Sequence, residues 1–143
     1  MRLRHHIRRA TKRGLKANLR LAEALAVLTG AAAVIRVRQF RGAVSFGSVR
    51  VRQGRVLSAD NVDELAQAVR SVARRLPFRA LCFEQGLALQ RMLRRRGVDA
   101  HLNYGIGKKG VDHIEAHVWV TVGERVVIGE QNLDRFRSVA VFP

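Results

Sequence analysis

The sequence has few of the residues on which several common protein classes depend. Its single cysteine, Cys82, excludes an intrachain disulfide framework and a cysteine-rich zinc site. A single cysteine also fits a reducing compartment, and we expect a cytoplasmic protein. Aromatic residues make up only 6% of the chain, and we find no helix-turn-helix or RNA-binding motif. These absences make a nucleic-acid-binding module the less favoured function.

Long apolar runs are also missing. The nearest, residues 21–35, is interrupted by Glu23 and Gly30 and is shorter than the roughly 18–20 residues that span a bilayer. A basic segment precedes this run, as in a signal peptide, but Arg36 and Arg38 follow where small residues are expected. We therefore expect a helix that packs on the core, and no transmembrane span.

Acidic residues are scarce, since 27 Lys and Arg oppose 11 Asp and Glu and give a formal net charge of +16. Residues 1–58 hold 14 of these cations against the single acidic residue Glu23, whereas residues 59–143 hold 13 against 10. Clustered positive charge attracts nucleic acid, anionic lipid or an acidic peptide. The length of 143 residues and the hydrophobic content of 48% indicate one packed domain.

Periodicity divides the chain into a tail and one domain. Residues 1–14 are basic and lack periodicity, which predicts a flexible N-terminal tail. Residues 15–143 are predicted to form a single domain, with a helical and extended subregion over 15–57 and a core subregion over 58–143. Within the first subregion, residues 41–57 are expected to form short strands or a loose connection.

The core subregion is predicted to contain two helices followed by strands. Asn61 and Glu64 have the spacing of a capping box at the start of the first helix, which Pro77 ends. The second helix is expected over residues 82–96. The strands are predicted over about 100–106, 115–122 and 125–128. This order indicates an α+β fold in which N-terminal helices pack on an antiparallel sheet.

Cys82 and His117 are the candidate nucleophile and base. Cys82 begins the second helix, where free N–H groups and the helix dipole favour a thiolate. His117 lies on a strand whose alternation places Ala116 and Val118 on the opposite face. A lone cysteine is more often a small buried residue, and a strand histidine can simply face solvent. The two together indicate a thiol and an imidazole that meet in space.

Glu130 is the candidate for orienting His117. If Gly123 and Glu124 form a two-residue turn, cross-strand pairing places Glu130 opposite His117. A carboxylate there would hold one imidazole tautomer, although the sequence fits a surface Glu130 equally well.

Gln85 and the histidines complete the candidate residues. Gln85 lies one turn after Cys82, where its amide would donate to an oxyanion beside the Cys82 N–H, or would only pack or cap. His113 and His117 are separated by about 13 Å if both lie on one strand, which is too far for one metal ion. We expect neither a metal nor a cofactor.

Two motifs resemble a known family. Cys82 stands in Arg-x-x-Cys-x-x-x-x-Leu-Ala, a glycine precedes the next strand, and His117 stands in Ala-His-x-Trp-Val. Residues 60–143 resemble the lasso-peptide biosynthesis B protein in its stand-alone leader-peptidase form. The resemblance implies the transglutaminase-like, papain-like cysteine fold.

The resemblance also implies an activity and partners. It implies a cysteine endopeptidase that removes the leader from a ribosomally made lasso precursor peptide, with Cys82 as nucleophile and His117 as base. The family's third member is an Asp on the following strand. No Asp stands there in this chain, so Glu130, Asn132 and Asp134 stay open. The implied partners are the precursor peptide, a separate small leader-binding protein and the lasso cyclase.

Other functions fit the same residues. A transglutaminase-like core can transfer an acyl group to an amine rather than to water, because the acyl-enzyme is shared. A non-catalytic scaffold becomes the better interpretation if Glu130 points away from His117, and the basic N-terminal half keeps nucleic-acid binding as an alternative.

Overall fold

The computed structural model describes residues 2–51 and 57–143, with side chains from residue 14 onward. In this part of the chain, four α-helices precede an antiparallel sheet of four strands. The helices are α1 Arg2–Val37, α2 Phe40–Gly47, α3 Ala59–Ala73 and α4 Cys82–Arg94. The strands are β1 Ala100–Lys109, β2 His113–Val122, β3 Arg125–Ile128 and β4 Phe136–Phe142, with a 3-10 turn at Leu133–Arg135. The predicted α+β fold class is confirmed.

Helix α4 packs against the sheet, whose strand order is β3-β2-β1-β4. Gly86 is a point of close approach, because a Cβ there would lie 2.8 Å from Leu102 Cδ1 and 2.9 Å from Val118 Cγ1. The largest fully buried apolar side chains of α4 and the sheet are Leu87, Leu89, Met92, Leu93, Leu102 and Val120. This contact fixes the first turn of α4 against β2.

A buried amide ties α4 to two strands. Gln90 is fully buried, and its Nε2 donates to the carbonyl oxygens of Ala100 (3.3 Å) and Phe142 (2.9 Å). Both N–H groups of the amide thus have partners, whereas its buried oxygen Oε1 has no hydrogen-bond partner among the described residues. The amide therefore recovers only part of the cost of burying a polar side chain.

Helix α1 packs one face on α3 and α4. Its buried side chains include Ala24, Val27, Leu28 and Ala31, so the expectation of a helix docked on the core is confirmed. Glu23 accepts hydrogen bonds from Arg96 beyond the end of α4. The hydrogen bond to Glu23 raises the pKa of Arg96, although burial lowers it. By length and composition alone, the segment Gly14–Val37 is also apolar enough to cross a membrane.

The backbone of α1 begins earlier than predicted. The sequence predicts an irregular tail over residues 1–14, whereas the structure is helical from Arg2. This segment is rich in arginine and lysine, which are good helix formers, and it lacks proline. A helix already nucleated by the packed turns can therefore continue through it. The division into subregions 15–57 and 58–143 stays a prediction.

Helix α2 corrects the prediction of strands or a loose connection over residues 41–57 for its first part, residues 41–47, whereas residues 48–51 are irregular as a loose connection would be. Its glycines are poor helix formers, but burial of Ala43 and Val44 outweighs this preference. Gly47 also lies against α4, since a Cβ there would be 2.3 Å from Gln90 Oε1. Residues 52–56 of the predicted segment lie outside the described residues.

Ser58 caps helix α3, so the predicted capping box at Asn61 is wrong. The Ser58 hydroxyl accepts from the Asn61 backbone N–H (3.4 Å) and from its side-chain amide (2.7 Å). The amide oxygen of Asn61 accepts from Arg20 of α1 (2.7 Å), and Glu64 forms an ion pair with Arg20. Both predicted capping residues therefore hold α1 against α3.

Candidate active site

A cavity of about 430 Å³ brings together residues of α3, the start of α4 and the end of β3. Cys82, Gln85 and His117, three of the four predicted site residues, line it. The other lining residues are Arg70, Ala73, Arg74, Ala80, Leu81, Ile128, Gly129 and Gln131. The structure therefore places the candidate nucleophile and base on one cavity.

Cys82 is the first residue of α4 and is partly buried. Glu84 accepts the N–H of the preceding Leu81 (3.0 Å). The first N–H groups of a helix lack intrahelical acceptors. The backbone N–H of Cys82 is therefore suited to stabilising negative charge beside its own sulfur.

Gln85 anchors the turn that precedes α4. Its Nε2 donates to the carbonyl oxygen of Ala80 (2.8 Å). An amide nitrogen carries two N–H groups, so one N–H remains for a ligand in the cavity. The geometry fits both the predicted oxyanion donor and the structural role.

His117 is oriented by a backbone carbonyl. Its Nε2 lies 2.8 Å from the oxygen of Gly129. A carbonyl oxygen can only accept, so Nε2 carries the proton and Nδ1 of the neutral ring is left as the acceptor. The ring also packs against Phe136 (4.8 Å between ring centroids) and Trp119 (6.1 Å). The hydrogen bond to Gly129 favours the tautomer whose Nδ1 is an acceptor, and the two ring contacts restrict how the imidazole can rotate.

The predicted pairing of His117 with Glu130 is wrong. Val122 pairs with Arg125 as predicted, but the register shifts before Val120, which pairs with Ile128. Strand β3 therefore has one residue more than β2 at this point, which forms a β-bulge. The bulge moves the residues that follow on β3 out of the predicted register. Strand β3 then ends at Ile128.

Glu130 instead accepts from Arg70 of α3, with 2.8 and 2.9 Å between Arg70 Nη2 and its two carboxylate oxygens. Its side chain is half exposed. Glu130 therefore lies beside the cavity residue Arg70, and the Gly129 carbonyl occupies the place predicted for its carboxylate. The structure thus locates Glu130, and its catalytic role stays a prediction.

The alternatives Asn132 and Asp134 lie in the turn before β4. Asn132 has a left-handed backbone (φ 55°) and precedes the 3-10 turn. Asp134 lines a different cavity, together with Ile106 and Phe136. Neither residue lines the cavity that holds Cys82 and His117.

Sequence reasoning missed three polar residues of the cavity. Arg70 lies in the last turn of α3 and Arg74 is its C-cap residue, a spacing of one helical turn that places them on one face. Gln131 lies in the turn after β3. Only the packing of α3 beside the end of β3 brings them together, so no local motif marks them. Among the described residues, no group of three or more His, Cys, Asp or Glu is placed to bind a metal ion; the expected absence of a metal stays a prediction.

Comparison with known families agrees with this geometry. Residues 24–141 match the family model of the transglutaminase-like superfamily. The chain belongs to this superfamily. Members of the transglutaminase-like superfamily are typically cysteine-based enzymes. No curated protein matches the chain, and no solved structure matches it.

The backbone of Gly129 in this transglutaminase-like site leaves no room for a side chain. Its backbone is left-handed (φ 84°), and a Cβ would lie 2.5 Å from the Val118 oxygen. We expect Gly129→Ala to lower the free energy of unfolding by about 2 kcal/mol or more, because strain and a backbone collision add. Urea denaturation followed by circular dichroism measures this loss.

Gly123→Ala is the matched control. Gly123 also has a left-handed backbone (φ 58°), but nothing lies within 4 Å of its added Cβ. We expect a loss of about 1 kcal/mol there, which is the cost of the backbone conformation alone. Equal losses in the two variants would contradict the tight contact between Gly129 and β2.

Proposed function

We propose that this transglutaminase-like domain is a cysteine endopeptidase that removes the leader from a ribosomally synthesised lasso precursor peptide. The supporting observation is the cavity on which Cys82, Gln85 and His117 converge, with Nδ1 of His117 left as an acceptor. The motifs around Cys82 and His117, which resemble the stand-alone leader peptidase, support the choice of substrate.

The proposed reaction begins with transfer of the Cys82 thiol proton to Nδ1 of His117. The thiolate attacks the scissile carbonyl carbon, and the carbonyl oxygen becomes an oxyanion. The N–H of Cys82 and the second N–H of the Gln85 amide would stabilise that oxyanion.

Collapse of the tetrahedral intermediate breaks the peptide bond. His117 gives its proton to the departing amine of the core peptide, and the leader stays on Cys82 as a thioester. His117 then takes a proton from water, which attacks the thioester and releases the leader carboxylate. Throughout, the Gly129 carbonyl keeps Nε2 of His117 protonated.

The charge of the cavity favours an acidic segment of the peptide. Arg70 and Arg74 line it, and the described residues of its lining include no acidic side chain. Arg70 is paired with Glu130, whereas Arg74 is exposed. Arg74 would therefore attract a carboxylate of the bound precursor. A small leader-binding protein and the lasso cyclase are the proposed partners that deliver the leader and take over the core peptide.

Mass spectrometry of the reaction products tests the proposal. The purified protein is mixed with the precursor peptide encoded beside its gene, with and without the neighbouring leader-binding protein. We expect one cut between leader and core. A product joined to an amine would instead show an amide transferase, and an unaltered precursor under both conditions would favour the scaffold.

The position of Glu130 leads to a prediction for the same assay. We expect Glu130→Ala to lower the cleavage rate by less than about tenfold, because an exposed ion pair contributes little. Removal of an acidic residue that orients the catalytic histidine would lower the rate far more, on the order of 10⁴-fold. If Glu130→Ala lowered the cleavage rate as much as a His117 variant does, Glu130 would be the residue that orients His117. The Gly129 carbonyl alone would then not be enough to orient the imidazole.

A further inference from the structure

The exposed face of α1 is largely apolar. Its exposed apolar residues include Leu15, Leu19, Ala22, Leu25, Ala26 and Ala33; we call these six the outer stripe. Two uncharged polar residues, Asn18 and Thr29, are exposed on the same face. Leu15 and Leu19 are about 60% exposed and Leu25 is 47% exposed. The stripe extends for about 27 Å at 1.5 Å per residue.

The two charged residues between residues 17 and 35 are turned inward. Arg20 is paired with Glu64 of α3, and Glu23 with Arg96. The side chains of Arg20 and Glu23 are 24% and 25% exposed. A surface helix of a globular protein usually carries its charged residues on the face that is turned away from the core. Here the charges hold the helix in place, and the exposed face is left without any.

Cations flank the outer stripe at both ends. Residues 2–13 hold six Lys and Arg, and α1 runs through them without a break. At the other end, Arg36, Arg38 and Arg41 are exposed. An apolar face between basic segments is suited to the surface of an anionic bilayer, with leucines among the acyl chains and cations at the headgroups.

We propose that the outer stripe binds the surface of an anionic membrane, with α1 lying in the plane of the interface and the domain attached to it. The composition favours lipid over a protein partner, because protein interfaces are typically anchored by aromatic side chains. The outer stripe consists of leucine and alanine, and the polar residues on its face, Asn18 and Thr29, carry no charge. Insertion across the bilayer is disfavoured because Ala24, Leu28 and Ala31 are fully buried in the core. This proposal is independent of the peptidase activity.

Vesicle flotation tests the proposal. Vesicles of phosphatidylcholine alone are compared with vesicles of phosphatidylcholine and phosphatidylglycerol. We expect the wild-type protein to float only with the anionic vesicles. We expect the double variant Leu19→Glu/Leu25→Glu to bind these vesicles at least about tenfold more weakly than the wild type, because two leucines no longer enter the bilayer.

The matched control is Val111→Glu/Val139→Glu. It introduces the same two charges at exposed apolar residues outside α1, which are 94% and 51% exposed. We expect it to bind nearly as the wild type does, and circular dichroism checks that each variant is folded. If both double variants bound the anionic vesicles equally weakly, the change in net charge alone would explain the loss of binding. That result would overturn a role for the outer stripe.

Two further results would overturn the proposal. If the wild-type protein floats with neither vesicle, another macromolecule or a second copy of the chain covers the outer stripe. If vesicle-bound protein resists extraction by alkaline carbonate, α1 crosses the bilayer instead of lying on it. Release by carbonate, together with weaker binding at high salt, supports attachment at the surface.

Discussion

Cys82→Ala is expected to lower precursor cleavage by at least about a thousandfold, because the reaction loses its nucleophile. Cys82 is the first residue of α4 and is only partly buried. Loss of one sulfur atom should therefore leave the fold intact. Product formation followed by mass spectrometry gives the rate, and urea denaturation followed by circular dichroism gives the stability.

The single cysteine provides an independent measure of the same site. Iodoacetamide can alkylate only Cys82 in this chain, so the mass of the intact protein reports its accessibility directly. We expect alkylated wild-type protein to be as inactive as Cys82→Ala. Cleavage that survives either treatment would reject Cys82 as the nucleophile, whatever other activity the chain has.

His117→Ala is the second large effect, with an expected loss of cleavage on the order of 10³-fold. Without the imidazole, the described residues that line the cavity include no other group suited to take the thiol proton and pass it to the leaving amine in the proposed reaction. We also expect iodoacetamide to alkylate Cys82 more slowly at neutral pH in this variant, because the attacking species is the thiolate. A purely structural role of His117 would leave alkylation unchanged or accelerate it by exposing the thiol.

His113→Ala is the matched control for His117. His113 lies on the same strand and is exposed, and it is not among the residues that line the cavity. We expect its cleavage rate to stay within about twofold of wild type, as for a surface substitution. A large loss in both variants would point to damage to β2 instead of loss of a base.

The local parts of the site follow from the sequence. Cys82 at a helix start and His117 on an alternating strand are both where the sequence predicts them, because helix ends and strand alternation are set by neighbouring residues. The contact between His117 and the Gly129 carbonyl, in contrast, depends on the register shift between Val120 and Thr121. A bulge is decided by packing on both sides of a strand, so the sequence alone places Glu130 where Gly129 lies.

Two elements were missed because tertiary contacts decide them. Helix α2 contains Gly42 and Gly47, which local preference alone would exclude from a helix. Strand β4 lies at the edge of the sheet, and most of its residues are exposed or half exposed. Its sequence therefore lacks the strong apolar alternation by which a buried strand is recognised.

The buried amide of Gln90 has a consequence for biosynthesis. A ribosome releases the helix that carries Cys82 long before it releases Phe142, yet the Gln90 amide needs the Phe142 carbonyl. Until then one N–H of this amide lacks the acceptor that it has in the folded domain. Strand β4 also adds the Phe136 ring beside His117. The hydrogen bonds of Gln90 and the ring packing around His117 are therefore complete only once β4 has docked on the sheet.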